Sequence, residues 1–432
     1  MQSRLDGKLV LLYTLLVLQV LIVVIYVATT PPSELGTPTS RSPVSFVKFQ
    51  VSQVKSKQQS TRKPSRNYKT INGETLLKDS TTSELFVRHN HTLCFREGTA
   101  NQRARSFQFS DKLEKCVCKQ GWHGSDCGQP EVVWRAIMAS KQTIKLRLRR
   151  MPRRLIHMFS VDNHDVAIAE ATVEELYSVV DLFVICDFSQ AEDNFRHRLN
   201  KGLLKREQDK ILYVDVSEEA RRPSRVISRH IWDSINAVVR NLREDDVYVT
   251  TDAEQVLNKR ALMFLKLYDG WPQPIGFRLR WSVYGFFWQH PLKTLITVGA
   301  CTISLTHRAY LSDSLLLPKE LGGEASDRDV LGLVIGDLNH YGGWYCFLCR
   351  GSAHILTYIR RKTESNEMHF QRNIDIPFVE DLIGTGTWLD GKTSLLRPYK
   401  SQDQYYAPEA VLNNSWKYDW LLENFYAKLD YY

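Results

Sequence analysis

Apolar and polar positions change their period three times along this chain. From Leu9 to Ala28 the run is apolar except for Tyr13, Thr14, Gln19 and Tyr26, and it carries no charge. Twenty residues at about 1.5 Å rise cover roughly 30 Å, one bilayer core, so the pattern predicts a transmembrane signal anchor over residues 9–28. A cleaved signal peptide is the competing reading, but Ala28-Thr29-Thr30-Pro31 makes a poor cleavage site. Arg4 and Lys8 precede the span and no Lys or Arg follows until Arg41, which predicts a cytosolic tail at 1–8 and a lumenal or extracellular remainder. Residues 29–90 lose all apolar periodicity and are rich in Ser, Thr, Lys, Gln and Pro, the composition of a disordered stem.

From Leu155 a regular alternation of elements begins. LIHMFSV (155–161), DLFVICDF (181–188), KILYVDV (210–216) and DDVYVTTDAE (245–254) read as strands. AIAEATVEELYSVV (167–180) reads as a helix, as does the segment opened by Pro223 and Ser224 with its stripe Ile227, Ile231, Ile235, Val238 and Val239. Strands alternating with helices imply a parallel sheet covered on both faces, whose ligands bind beyond the carboxyl ends of the strands. The basic run 141–154 (KQTIKLRLRRMPRR) is expected to be a solvated face. The aromatic string Tyr284, Phe286, Phe287, Trp288 is expected to be a buried strand.

Composition narrows the class. The 432 residues are 43% hydrophobic and 24% charged, with 57 Lys+Arg against 48 Asp+Glu for a net charge of +9. Six of those nine charges lie between residues 29 and 93, in the stem, so no nucleic-acid domain is expected. Four of the eight cysteines fall within 94–127, and the run CVCKQGWHGSDC (116–127) resembles the closing half of an EGF-like repeat. The resemblance implies a small module at 91–130 with Cys118 paired to Cys127 and Cys94 to Cys116. Cys186, Cys301, Cys346 and Cys349 allow three pairings among themselves, and a structural disulfide is the expected fate of the 346/349 pair in an oxidising lumen. Two sequons, at Asn90 and Asn413, are expected to carry glycans on this topology.

The chemistry is expected at the end of the fourth strand. Alternation puts the carboxylates of Asp252 and Glu254 on one side of an extended segment, where two oxygens could hold a hard divalent cation against a diphosphate. A solvated turn gives the same two residues for local reasons.

PRRLI (152–156), VVDLFVIC (179–186), DDVYV (245–249), FLKLYDGW (264–271), SVYGFFW (282–288), GGWYC with Cys349 (342–349), TGTWLDG (385–391), YAP (406–408) and LLEN (421–424) resemble glycosyltransferase family 17. That resemblance implies a GT-A-like nucleotide-sugar-binding domain over 150–432 in a short-tailed type II Golgi membrane protein. It also implies inverting transfer of N-acetylglucosamine from UDP-N-acetylglucosamine to a mannose of N-glycans on glycoproteins, with a divalent cation, Mn²⁺ by expectation. The family's acidic string, roughly Asp-Asp-Ala-Asp-Glu, falls on Thr251-Asp252-Ala253-Glu254-Gln255, so Asp252 and Glu254 become the metal ligands. The family's Asn-His-Glu-Phe-Asp becomes Asn163-His164-Asp165-Val166-Ala167, and its Cys-Glu-Ser becomes Cys186-Asp187-Phe188. Asp187, His340 and Trp344 are the expected donor contacts, and Trp344 or Trp388 could stack on a sugar. Asp390, and after it Asp269, are the expected general bases. The altered acids leave a second reading open, a non-catalytic glycan-binding or interaction protein on the same scaffold. Oligomeric state is not legible.

Overall fold

The structure, a computed structural model, describes residues 17, 19, 75–89, 92–100, 116–162, 164–189, 194–218, 222–309, 331–365 and 374–427. The chain divides into two units, 1–63 and 64–432. In the first, only Val17 and Gln19 are described, both helical, so the expected anchor and most of the expected stem lie outside the described residues. Among the described residues no helix is long and apolar enough to cross a membrane.

The second unit is built on a nine-stranded mixed sheet. Its first half is parallel: β1 (Leu155–Val161), β2 (Leu182–Asp187), β3 (Ile211–Asp215) and β4 (Val247–Thr251) lie side by side in the order 3-2-1-4. These strands read as continuous apolar runs because both faces are covered, and their period of two sorts side chains between two cores. Leu155, Phe159, Val161, Phe183, Ile185, Val247 and Val249 pack with helices α1 (Glu131–Ala139), α2 (Val166–Leu176) and α5 (Lys259–Leu267). Ile156, Met158, Leu182, Val184, Leu212, Val214 and Tyr248 face α4 (Ser224–Val238) through Ile227, Ile231, Trp232 and Ile235. Burial of each such side chain contributes roughly 1.5–3 kcal/mol. One further short helix, α3 (Phe195–Asn200), follows β2.

Beyond β4 the direction reverses. The short β5 (Gln255–Leu257) leads into α5, and a hairpin of β6 (Ile275–Val283) and β7 (Gln289–Thr302) lays β7 antiparallel on β4, with Ala300 opposite Val249. Strands β8 (Leu333–Ile335) and β9 (Gly343–Phe347) run parallel to β6, and β5 closes the edge antiparallel to β9. The aromatic string 284–288, expected as a strand, is instead the buried turn of this hairpin. Tyr284 takes the left-handed region at φ 63°, Phe286 N–H donates to the Leu421 carbonyl, and the Trp288 indole N–H donates to Ile383. The turn docks against α7 (Ser352–Glu364) and α8 (Ile376–Thr385). Helices α6 (Ile303–Ala309), α9 (Glu409–Asn413) and α10 (Ser415–Leu422) complete the unit, with Lys417 paired to Glu170 and Glu174 on α2.

The segments before α1 also join the core. Residues 75–89, expected in the stem, are folded: Leu77 is buried, its N–H donates to Asn241, and its carbonyl accepts from Arg154. The cysteine-rich segment packs on the rest of the unit: Phe86, Phe95 and Trp122 belong to the same core as α1 and α5. Cys94–Cys116, Cys118–Cys127 and Cys346–Cys349 are bonded, while Cys186 and Cys301 are buried thiols.

The basic run 141–154 is likewise not a solvated face at its C-terminal end. Arg149 donates to Asp245 and Asp269, and Arg153 donates to Asp269 and to the Tyr268 carbonyl. Arg154, 2% exposed, pairs with the fully buried Asp246 at 2.6 Å. These arginines clamp the amino-terminal edge of the parallel strands.

Candidate active site

The order 3-2-1-4 places a topological switch between β1 and β4, because the connections leave β1 toward β2 and return across it to β4. The two following loops then diverge to opposite faces and open a crevice at the carboxyl edge. Register sets what stands at its rim: Val161 lies beside Asp187, Asp187 beside Asp215, and Phe159 beside Thr251. The residues just beyond, Asp162 to Asp165 after β1 and Asp252 to Glu254 after β4, therefore flank the switch. A cavity of about 260 Å³ opens there, lined among others by Ser160, Cys186, Phe188, Thr250, Thr251 and Asp252.

The charged groups at the rim converge on one guanidinium. Arg350 Nη2 forms an ion pair with Asp165 Oδ1 at 2.7 Å and donates to Glu254 Oε1 at 2.9 Å. Its place is covalently framed: the Cys346–Cys349 disulfide closes a turn in which Leu348 adopts φ 54°, and the Cys346 N–H donates to the Glu254 carbonyl at 2.9 Å. The Tyr345 hydroxyl also donates to Glu254, and Gln255 Nε2 donates to Asp252 Oδ2 at 2.8 Å. Burial raises the carboxyl pKa of both Asp252 and Glu254, against the pull of Arg350 on the latter. Burial, with the facing carboxylates of Asp162 and Glu254, pushes Asp165 up to about 8 in spite of Arg350. His164, depressed by burial, packs its ring against His354 at 4.6 Å.

An aromatic wall continues from Glu254 along β6 and β9. Trp281 meets Tyr345 edge-on at 4.8 Å, and Phe347 stacks on Trp388 at 5.3 Å. Lys293 Nζ lies 4.8 Å from the Trp388 ring centre and 5.5 Å from that of Trp281. Trp281, Tyr345 and Phe347 are partly exposed, while the buried Trp388 backs them between Phe347 and Lys293; partly exposed rings with a cation at the margin suit the faces of sugar rings.

The residues expected from sequence do not all meet here. Asp252 and Glu254 do, joined by Asp165, Arg350 and Tyr345. Asp187 reaches the same edge, but its oxygens accept from Ser189 N–H, Phe195 N–H and the Tyr213 hydroxyl, so it anchors the loop after β2. His340 sits before β9, hydrogen-bonded to Asp337 and edge-on to Tyr405, away from the acid pair. Trp344 is buried and donates its indole N–H to the Tyr405 carbonyl, leaving no ring face for a sugar. Asp269 is at the opposite edge: Arg149 and Arg153 bind it, and their charge holds its carboxyl below the usual range against a burial effect that raises it. Its Oδ1 is shared by two arginines on the edge away from the crevice. Asp390 occupies an exposed turn beside Trp388, where its oxygens accept from Lys392 N–H, Thr393 N–H and the Thr393 hydroxyl. Those bonds outweigh partial burial and lower its pKa, which makes it a weak proton acceptor. Asn413 is exposed at the end of α9, and Asn90 lies outside the described residues.

The metal expectation was tested against the donor set. Glu254 is engaged by Arg350 and Tyr345, Asp165 by Arg350, and Asp252 keeps one oxygen without a hydrogen bond. Among the described residues no group of three or more His, Cys, Asp or Glu side chains could hold a metal ion. A divalent cation on Glu254 would stand beside a fixed guanidinium. In this arrangement, with Glu254 taken by Arg350 and Tyr345, the residues present do not fit one.

A covered sheet with a cavity and a cluster of acids at its switch point defines an α/β protein with a ligand site at the carboxyl edge. Residues 137–300 match the model of glycosyltransferase family 17. The beta-1,4-mannosyl-glycoprotein 4-beta-N-acetylglucosaminyltransferases of Mus musculus and Homo sapiens are each 30% identical over 364 residues, covering 78% of this chain. The chain spans 66% of the length of these relatives. It belongs to glycosyltransferase family 17, as a divergent member. The crystal structure of S. aureus TarS 1-349 overlays on 54% of this chain and 69% of that one at 9% identity, and its TM-score of 0.24 carries no argument.

Arg350, Asp165 and Tyr345 were missed as site residues. The available signals were an arginine directly after a CxxC turn and an acid at the position where the family string has Glu.

Proposed function

We propose that the chain transfers N-acetylglucosamine from UDP-N-acetylglucosamine to a mannose-bearing N-glycan of a glycoprotein, with inversion, in a GT-A-like domain. The observation that carries this is the crevice between β1 and β4, where a cavity lined in part by Asp252, and beside it the Arg350-paired acids Asp165 and Glu254, stand at the position at which open α/β sheets take nucleotides. The nucleoside occupies the cavity. The acceptor lies on the partly exposed Trp281, Tyr345 and Phe347 wall, with Asp390 accepting a hydrogen bond from one of its hydroxyls. Asp252, whose proton affinity burial raises, takes the acceptor proton as the new bond forms and the diphosphate departs. The N-terminal span and the lumenal, Golgi placement belong to the same reading, supported by the sequence pattern of residues 1–28 and by the sequons.

The ion pair between Arg350 and Glu254 favours a second reading, a glycan-binding protein on the same scaffold. The test is UDP release from UDP-N-acetylglucosamine with a mannose-terminated N-glycan, run with Mn²⁺ and with EDTA. Acceptor-dependent release supports the transferase. Glycan binding with no release under either condition supports the second reading.

A further inference from the structure

We propose that Arg350 holds the place of a divalent cation at this site, so that a uridine diphosphate sugar is bound without metal. The inference rests on the donor reading above and goes beyond it to the electrostatics of diphosphate recognition. Arg350 is no loose surface arm. Its side chain is 16% exposed, it bridges acids from two separate loops, and the 346–349 disulfide turn fixes its root. Only Nη2 is used in those two ion pairs, and Nε is buried without a hydrogen-bond partner. The remaining N–H groups form a planar fork of the geometry that matches phosphate oxygens. The next element begins at once: α7 starts at Ser352 with Gly351 as its N-cap and no side-chain cap bond, so its first N–H groups add positive potential to the same rim. A divalent ion bound to Glu254 would meet a like charge about 3–5 Å away, a repulsion of several kcal/mol at an effective dielectric of about 20. Asp165 and Glu254 then orient the guanidinium rather than ligate an ion.

The test is calorimetric titration of UDP into the full chain in detergent, with EDTA or with Mn²⁺, for the unchanged protein, Arg350→Gln and Arg350→Lys. UDP affinity in the unchanged protein is expected to differ less than threefold between EDTA and Mn²⁺. Arg350→Gln is expected to weaken binding at least tenfold in EDTA, with Mn²⁺ restoring part of the loss because Glu254 and Asp165 are freed to hold it. Arg350→Lys, which keeps the charge, is expected to lose less than Arg350→Gln and guards against misfolding of the neutral variant. UDP binding abolished by EDTA in the unchanged protein overturns the inference and leaves the transferase reading standing. EDTA-resistant binding that Arg350→Gln leaves intact also overturns it. Absence of UDP binding under both conditions overturns the donor reading together with the inference.

Discussion

The two ends of the parallel strands carry the same residue types put to different uses. At the amino edge Arg149, Arg153, Arg154 and Arg243 meet Asp245, Asp246 and Asp269, and their hydrogen bonds interlock: Arg154 alone reaches Asp246, the Asn241 carbonyl and the Leu77 carbonyl. At the carboxyl edge one arginine serves two acids, a third acid keeps an open oxygen, and a cavity adjoins. A cluster in which every carboxylate is shared among arginines holds elements together. An unsaturated one with its acids raised in pKa is poised to bind or to move a proton. Arginine and aspartate side by side are therefore evidence of function only where an acid keeps an open oxygen beside a cavity.

The comparison can be broken by exchanging the consequences of mutation. Arg154→Met leaves Asp246 charged and unpaired in the core, and about 3–5 kcal/mol of stability is expected to be lost in urea unfolding. The same variant is expected to keep UDP affinity at temperatures where it stays folded. Asp252→Asn is the mirror case: unfolding free energy within about 1 kcal/mol of the unchanged protein, but transfer reduced by roughly 10²–10⁴-fold. Asp269→Asn should cost about 1–3 kcal/mol of stability, since two guanidinium groups lose their shared anion, while kcat changes little. A kcat loss as large as that of Asp252→Asn would return Asp269 to the site.

His157 sharpens the contrast from inside the sheet. It is fully buried, bonded to the Thr251 hydroxyl, and burial depresses its pKa to about 3. Because the folded value lies below the unfolded 6.5, the unfolded chain binds the proton first. Its contribution to stability is complete above pH 6.5 and is lost at about 1.4 kcal/mol per unit as pH falls toward 3. Chemical unfolding from pH 7 to pH 4 measures that slope, and His157→Gln is expected to flatten it. The smallest effect is expected at the turn beside Trp388. Asp390→Ala removes three local hydrogen bonds from an exposed loop and should cost about 1 kcal/mol or less, with turnover changed less than tenfold.

Half of the sheet was legible because its strands are buried on both faces and its helices carry clean stripes. That information is local: Leu155–Val161 or Ile227, Ile231 and Ile235 declare themselves within one element. The antiparallel half was not. Tyr284 to Trp288 looks like a strand because it is apolar, and it is a turn because Tyr284 adopts φ 63° and the two flanking strands pair with each other. The arginine run looked solvated because its acids come from about a hundred residues away, as with Arg153 and Asp269, 116 apart. Arg350 was invisible for the same reason, since Glu254 is 96 residues distant. Asp252 and Glu254 were found from strand alternation, although β4 ends at Thr251 and both stand in the turn that leads into β5. What they do depends on a third group that no local pattern announces.

The central claim is that the carboxyl-edge crevice performs sugar transfer, and mass spectrometry of the acceptor tests it most directly. The full chain is incubated with UDP-N-acetylglucosamine and a mannose-terminated N-glycan, beside the Asp252→Asn variant. The account predicts one added N-acetylhexosamine on the glycan with the unchanged chain and a rate at least about a hundredfold lower with the variant. An unmodified glycan with the unchanged, folded protein, or equal addition by both proteins, would contradict it.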